Sequence, residues 1–316
     1  MNKRRLGRSG LHIPPLVFGG NVFGWTVDQN RSFELLDRLL EIGLTAIDTA
    51  DAYSAWVPGN QGGESETIIG RWLAGRPGHR DKMIIMTKVG LAMGSHEQGL
   101  SAQRIEAAAE DSLRRLQTDY IDVYFSHFPD ERTPIEETLR AHENLLKQGK
   151  IRALGGSNYN PVQLGEALEV AARQQLTGYQ VLQPEYNLYS RSGFEQELRD
   201  LCIRADLGVI TYFSLASGFL SGKYRSKDDI AGRARVDMLQ KYFDARGQRI
   251  LAALEAVAEA RNATAAEVAL AWLMTRDGVT APIASATSLE QLDSLLRATQ
   301  LTLSAADLDA LSAASN

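Results

Sequence analysis

Four residues with useful chemistry fall at or just beyond the ends of apolar runs. Asp48 lies late in LTAIDTA (44–50), Tyr53 follows it by five residues, Lys88 lies late in MIIMTKVG (83–90), and His127 closes YIDVYFSH (120–127). Carboxylates and ammonium groups are rarely buried without a partner, so Asp48 and Lys88 are expected to pair. An ammonium beside the Tyr53 hydroxyl favours the phenolate, which predicts a tyrosine pKa lowered from about 10 toward working pH. Such a tyrosine is suited to donate or accept a proton in general acid–base catalysis. His127 is then expected to hydrogen-bond a substrate oxygen beside that hydroxyl, an oxyanion-type arrangement. The set holds no nucleophile and no metal cluster. It suits the reduction of a carbonyl, with the hydride brought by another group.

The elements that must position these residues alternate along the chain. Strand-like runs occupy 16–20, 44–50, 83–90, 120–127, 151–158, 179–187, 208–215 and 279–285, and amphipathic helical patterns separate them. RSFELLDRLLEIG places Phe33, Leu36, Leu39 and Leu40 on one face with Gly43 as its stop, and Pro134 suits the first turn of PIEETLRAHENLLKQG. Eight strand–helix units imply a parallel sheet with right-handed crossovers, closed as a (β/α)8 TIM barrel. An open doubly wound sheet is the alternative, weakened by the absence of a G-x-G-x-x-G turn. KRRLGRSGLHI (3–13) reads as a β-hairpin placed to plug the barrel floor. A long charged segment, 217–247, is expected as a loop that is either functional or disordered. No linker composition divides the chain, so residues 1–316 are expected to form one domain.

Composition is that of an ordinary globular enzyme: 316 residues, 44% hydrophobic, 23% charged, with a net charge of −5. The acidic balance argues against a nucleic-acid surface. Cys202 is the one cysteine, so no internal disulfide forms and a reducing cytoplasm is the expected location. No signal peptide and no membrane-length apolar run is read in the sequence.

Several motifs, in order along nearly the whole chain, resemble the aldo-keto reductase superfamily. They are RRLGRSGLHIPPLVFGG, DTADAY, TKVG, DVYFSHFPD, GGSN, LQPEYN and TYFSLASGFLSGKY. The resemblance implies that Tyr53 is the proton donor, that Asp48 and Lys88 tune it, and that His127 orients the substrate. It also implies a nicotinamide dinucleotide, usually NADPH, with NADH possible. Ser157, Asn158 and Gln183 would hydrogen-bond the carboxamide, whose donors and acceptors suit hydroxyl and amide partners. Tyr212 would stack on the nicotinamide, and Gly19, Gly20, Asn21 and Asp48 would line that side of the cleft. Phe213, Ser214, Leu215, Ser217, Gly218 and Gly222 would lie along the pyrophosphate, with Lys223 adding positive charge.

Two departures bear on the cofactor. Many relatives carry a basic residue after the eighth strand to grip the 2′-phosphate, where this chain has Ser285, Thr287 and Gln291. Relatives often place an Asn against the adenine near the position of Leu295. NADPH is therefore expected to be preferred by a reduced margin, unless the basic segment with Lys223, Arg225, Lys227, Arg233 and Arg235 substitutes. Phe23, Trp25, Trp56, Val57, Pro58 and Phe128 would form an apolar wall beside Tyr53 and His127, suited to a ring-bearing carbonyl compound. Glu64 and Glu66 read as acids favouring a helix N-terminus. The partner is expected to be a small carbonyl substrate, with neither nucleic acid nor membrane bound, and the protein a monomer or homo-oligomer. Two other functions fit the same residues: a redox-sensing channel β subunit, and a sugar or polyol dehydrogenase working in the oxidative direction.

Overall fold

The computed structural model describes residues 2–93, 98–232 and 236–316. Two short antiparallel strands, β1 (Arg4–Arg5) and β2 (His12–Ile13), precede the barrel. The barrel strands are β3 (Val17–Gly19), β4 (Ala46–Asp48), β5 (Ile84–Val89), β6 (Ile121–Ser126), β7 (Ile151–Ser157), β8 (Val181–Gln183), β9 (Gly208–Thr211) and β10 (Ala281–Ala284). Neighbours pair in parallel, and β10 returns to β3 to close the cylinder. The (β/α)8 expectation is met, and each strand runs shorter than its apolar stretch because only the central residues enter the ladder.

The helices are α1 (Gln29–Ile42), α2 (Glu64–Ala74), α3 (Ala102–Leu116), α4 (Ile135–Lys147), α5 (Pro161–Arg173), α6 (Glu197–Arg204), α7 (Val236–Leu239), α8 (Ala245–Arg261), α9 (Ala265–Met274), α10 (Leu289–Ala298) and α11 (Ala305–Ala314). Their ends follow local chemistry. Asp28 caps α1 by accepting from the Arg31 N–H at 2.8 Å, and Gly43 ends it in the left-handed region with φ of 80°. Among the described residues, no helix is long and apolar enough to cross a membrane.

Side chains alternate along each strand, and this period fixes the interior. Val17, Ala46, Met86, Val123, Phe125, Ala153, Val181, Ile210, Ala281 and Ile283 form one buried cluster inside the cylinder. Leu6, Leu11 and Ile13 join the same cluster from the hairpin. The hairpin therefore plugs the floor, as its sequence suggested. Gly7 and Gly208 make that docking possible, since a Cβ on Gly7 would stand 2.0 Å from the Gly208 nitrogen.

The segment 217–247 is more ordered than a plain loop. It carries 3-10 turns at Ala216–Ser221, Lys227–Ile230 and Gln240–Tyr242, together with α7. Ile230, Leu239 and Tyr242 anchor it in the core. Arg233 and Arg235 lie outside the described residues.

Candidate active site

Continuing the inward period two residues past the apolar interior brings polar groups to one mouth of the barrel. Met86 gives way to Lys88, Phe125 to His127, Val181 to Gln183 and Ile210 to Tyr212. Asp48 is the last residue of β4, and Gly19 and Ser157 are the last of β3 and β7. Seven of the eight strands place these residues at the C-terminal rim, where barrel enzymes keep their sites.

At its centre, Lys88 is fully buried and its three ammonium protons are all placed. Nζ donates to Asp48 Oδ2 at 2.6 Å, to the Thr49 carbonyl at 2.9 Å and to Tyr53 Oη at 2.9 Å. Tyr53 in turn donates to Asp48 Oδ2 at 3.1 Å. Asp48, only 2% exposed, uses its other oxygen to accept from Gln183 Nε2 at 2.8 Å. A carboxylate accepts only, so the Gln183 amide must turn its nitrogen inward. Burial pulls the Lys88 pKa down, and Asp48 opposes that pull.

The protonation of Tyr53 corrects the expectation from sequence. Loss of solvent and the adjacent Asp48 carboxylate hold its pKa well above the ordinary phenol range. The lowering expected from Lys88 does not prevail, because the anion lies as close to the hydroxyl as the cation does. Tyr53 therefore rests as a phenol. His127 is 8% exposed, and burial followed by the charge of Lys88 keeps its imidazole well below the usual range, hence neutral. Its ring centroid lies 6.2 Å from that of Tyr53, and its Nδ1 is buried with no hydrogen-bond partner among the described residues.

The amide and hydroxyl residues interlock. Ser157 Oγ donates to the Gln183 carbonyl at 2.9 Å. Asn158 Nδ2 donates to the His127 carbonyl at 2.9 Å and to Ser157 Oγ at 3.1 Å, while Oδ1 accepts from Tyr212 Oη at 2.6 Å. On the opposite side, Ser285 Oγ donates to Asn21 Oδ1 at 2.7 Å, and a Cβ on Gly19 would stand 2.5 Å from that same Oγ. Gly20 is buried beside them.

The segment after Tyr212 is strained. Phe213, Ala216 and Ser217 have φ of 51°, 48° and 59°, ahead of Gly218 at 101°. Non-glycine residues in that region cost energy and cluster at functional segments. Ser214 is buried and donates to the Thr211 carbonyl at 3.0 Å, and Leu215 is half-buried. The exposed Lys223 lies over the Tyr224 ring at 4.8 Å and beside Gly218. Thr287 is exposed, with its N–H and Oγ1 both turned to Gln291 Oε1 at 2.9 and 3.2 Å. Arg225 is engaged in an ion pair with Glu255.

The aromatic wall divides. Trp25 and Trp56 meet edge-on at 5.4 Å, Trp56 stands 6.1 Å from Tyr53, and Phe128 stacks on His127 at 5.3 Å. Trp56 and Phe128 are 51% and 39% exposed. Val57 is half-buried and Pro58 exposed. Phe23, by contrast, is fully buried against Phe18 and belongs to the core. Leu295 is likewise core-packed.

Glu64 and Glu66 both lie in the first turn of α2, as their sequence reading had it, and Glu66 has a further role. It is fully buried, with Oε1 accepting from Thr87 Oγ1 at 2.5 Å and Oε2 from Arg115 Nε at 2.6 Å. Glu64 accepts from the N–H groups of Gln61 and Gly62. The signal that could have flagged Glu66 is its place three residues before the buried Ile69, which puts both on one face of α2.

Residues 15–316 match the aldo/keto reductase family. The chain is 32% identical over 305 residues to the uncharacterized oxidoreductase YrpG of Bacillus subtilis (strain 168), covering 94% of this chain and 91% of that protein. It is 33% identical over 301 residues to a probable voltage-gated potassium channel subunit beta of Oryza sativa subsp. japonica, covering 92% and 89%. A shorter match, 65% identical over 105 residues, joins it to an uncharacterized 11.2 kDa protein in the crtE 3′ region of Pseudescherichia vulneris. That match covers 33% of this chain and 95% of that protein.

Proposed function

This chain belongs to the aldo/keto reductase family, and from that premise we propose that it reduces aldehydes or ketones to alcohols with NAD(P)H. The observation that carries the reading is the closed Asp48–Lys88–Tyr53 set with neutral His127 beside it. Tyr53, a phenol at rest, gives its proton to the carbonyl oxygen. The phenolate left behind already has the Lys88 ammonium 2.9 Å away, so the charge forms beside a cation that needs no rearrangement. Asp48 keeps Lys88 charged, and Gln183 keeps Asp48 oriented. His127 offers an imidazole N–H to the same carbonyl oxygen.

A nicotinamide dinucleotide held here would supply the hydride for the carbonyl carbon. Gln183, with its nitrogen committed to Asp48, has its oxygen left to accept from a carboxamide, and Ser157 and Asn158 adjoin it. Tyr212 offers its ring as a stacking face. Gly19, Gly20 and Asn21 would line the nicotinamide side of the cleft, with Ser285 packed against them. Strained Ala216 to Gly218, with Ser217 and Lys223, suit a pyrophosphate. NADPH is the favoured cofactor by a modest margin, since Ser285, Thr287 and Gln291 offer only uncharged groups to a 2′-phosphate. Trp25, Trp56 and Phe128 favour a ring-bearing carbonyl compound. The whole chain, residues 1–316, acts as one domain, and the reducing cytoplasm suits its single buried Cys202.

The similarity to the rice channel subunit favours a second reading, a cofactor-bound partner protein with slow turnover. A panel of aldehydes, ketones and alcohols, run with NADPH and NADH in parallel and with mass measured by light scattering, separates the two. Steady turnover on a ring-bearing carbonyl supports the reductase. Tight cofactor binding with no steady turnover on any member of the panel overturns it.

A further inference from the structure

Hydride donor and carbonyl have to meet at a fixed spacing, and the two side chains that would hold them stand on different strands. Tyr212, just past β9, offers the stacking face, and His127, just past β6, faces the carbonyl oxygen. The His127 N–H donates to the Val89 carbonyl at 2.8 Å, so one side of its peptide is held by β5. The pairing of β6 with β7 stops one residue earlier, at Ser126 and Gly156. There Asn158 takes over, its Nδ2 donating to the His127 carbonyl at 2.9 Å. His127 is thus held at both its N–H and its C=O, which fixes the direction in which its ring leaves the backbone.

Asn158 has a left-handed backbone, with φ of 64°, a region that Asn enters more readily than most side chains. Its own N–H donates to the Gln183 carbonyl at 3.3 Å. A carbonyl only accepts, so the amide nitrogen must face His127 and the amide oxygen must face away. That oxygen accepts from Tyr212 Oη at 2.6 Å. Burial holds the Tyr212 pKa above the ordinary phenol range, so the hydroxyl keeps the proton it donates. The remaining Nδ2 proton goes to Ser157 Oγ at 3.1 Å. Tyr212 is also held at its other end, where its backbone N–H donates to the Pro184 carbonyl at 3.0 Å. Its ring is therefore fixed at both ends, and two successive hydrogen bonds join it to the peptide of His127.

We propose, resting on the reductase reading above, that the Tyr212 hydroxyl and the Asn158 amide are positioning groups, which set the nicotinamide stacking face at a fixed spacing from His127. The ring of Tyr212 suffices for stacking, and its hydroxyl is what ties that ring to the residue that receives the substrate. Loss of either hydrogen bond lets His127 and the ring drift independently. A drift of about 1 Å at a reacting centre costs up to about 10²-fold in rate. An Asn158 that served only the carboxamide would change cofactor affinity and leave His127 where it is.

Tyr212→Phe keeps the ring and removes the hydroxyl. Asn158→Gly keeps the left-handed backbone without strain and removes the amide. With no nucleotide added, the imidazole resonances of His127, followed by NMR and assigned by their loss in His127→Gln, should shift in both variants. Those of the fully buried His142 should stay in place. With NADPH and the best carbonyl substrate of the panel, single-turnover hydride transfer should fall about 10-fold in Tyr212→Phe, inside the limit that misplacement sets. The dissociation constant of NADPH should hardly move. The double variant should be no slower than Asn158→Gly, because both changes cut one tether. Unmoved His127 resonances overturn the proposal, as do additive losses in the double variant. An Asn158→Gly protein that binds NADPH weakly yet transfers hydride at the wild-type rate once saturated also overturns it. If Asn158→Gly fails to fold, Asn158→Asp takes its place in the cycle, since it keeps the acceptor for Tyr212 and lacks the donor to His127. Tyr53→Phe in the same assay separates the premise. Full turnover there removes the reductase reading, whereas lost turnover there with Tyr212→Phe at the wild-type rate removes only the tether.

Discussion

Gln183 Nε2 donates to Asp48 Oδ1 at 2.8 Å, and Lys88 and Tyr53 share the other oxygen of the same carboxylate. The residue expected at the nicotinamide carboxamide thus also fixes the acid beneath the proton donor. A disturbance at Gln183 reaches Tyr53 through one intervening side chain.

Tyr53→Phe removes the transferable proton and little volume. Turnover should fall about 10²–10⁴-fold, with the dissociation constant of NADPH nearly unchanged. Single-turnover reduction, followed by the decay of NADPH absorbance, checks that hydride transfer is what slows.

Lys88→Met leaves the Asp48 carboxylate buried without its cation. Breaking a buried pair from one side costs about 3–5 kcal/mol. Asp48→Asn should also destabilise, by leaving the ammonium short of a counter-charge. Replacing both with apolar residues should recover part of the loss. Denaturant titration of the two single variants and the double variant forms the cycle that decides it.

His142 predicts an acid limb in stability. Burial pulls its pKa down to about 4, against the carbonyl of Thr138 that pulls it up. A group with a lowered folded pKa leaves the unfolded chain binding the extra proton, so stability falls as pH drops from about 6.5 toward 4. His142→Asn should flatten that fall in melting temperature. The buried Asp51 carboxyl, pushed up to about 7 chiefly by burial, gives a slope of the opposite sign, since its contribution is lost as pH rises toward 7.

Thr287→Arg should increase the ratio of kcat/KM for NADPH over NADH, if position 287 faces the 2′-phosphate. A guanidinium binds phosphate with two hydrogen bonds and full charge, where the hydroxyl now bonds to Gln291. A strong wild-type preference for NADH would sink the NADPH assignment.

Trp56→Ala should raise KM for ring-bearing carbonyls by a factor of about 3–10 and leave small aliphatic aldehydes unaffected. Trp56 is half exposed, so melting temperature should hardly move. An equal loss for both substrate types would assign Trp56 to holding the loop.

The barrel was legible because apolar runs and the helical periodicity between them are local signals repeated along the chain. Asp48, Lys88 and His127 were legible because each lies at or near the end of such a run. Four features were not legible, because each depends on contacts beyond its own stretch of sequence. The Gln183–Asp48 bond joins residues 135 positions apart, which no local pattern encodes. Glu66 read as a helix-start acid because its inward direction depends on which face α2 buries. The Tyr53 pKa is the net of an anion, a cation and lost solvent at similar range, and its sign emerges only when all three are located. Phe23 looked like pocket wall because it follows a rim residue, yet the 3-10 turn at Gly20–Val22 sends it into the core.

The ladder between β10 and β3 joins Ile283 to Val17 and Ala284 to Phe18, nearly the full chain apart. On the ribosome, the strand that seals the cylinder is among the last to emerge. Until then, β3 and β9 are open edges, able to recruit a strand from another nascent chain. Ser285 reaches Asn21 only across that seam, so one wall of the candidate site is absent from every translation intermediate that lacks β10. Closure of the cylinder thus depends on a long-range pairing, of the kind that is slow to form and leaves edges exposed until it does.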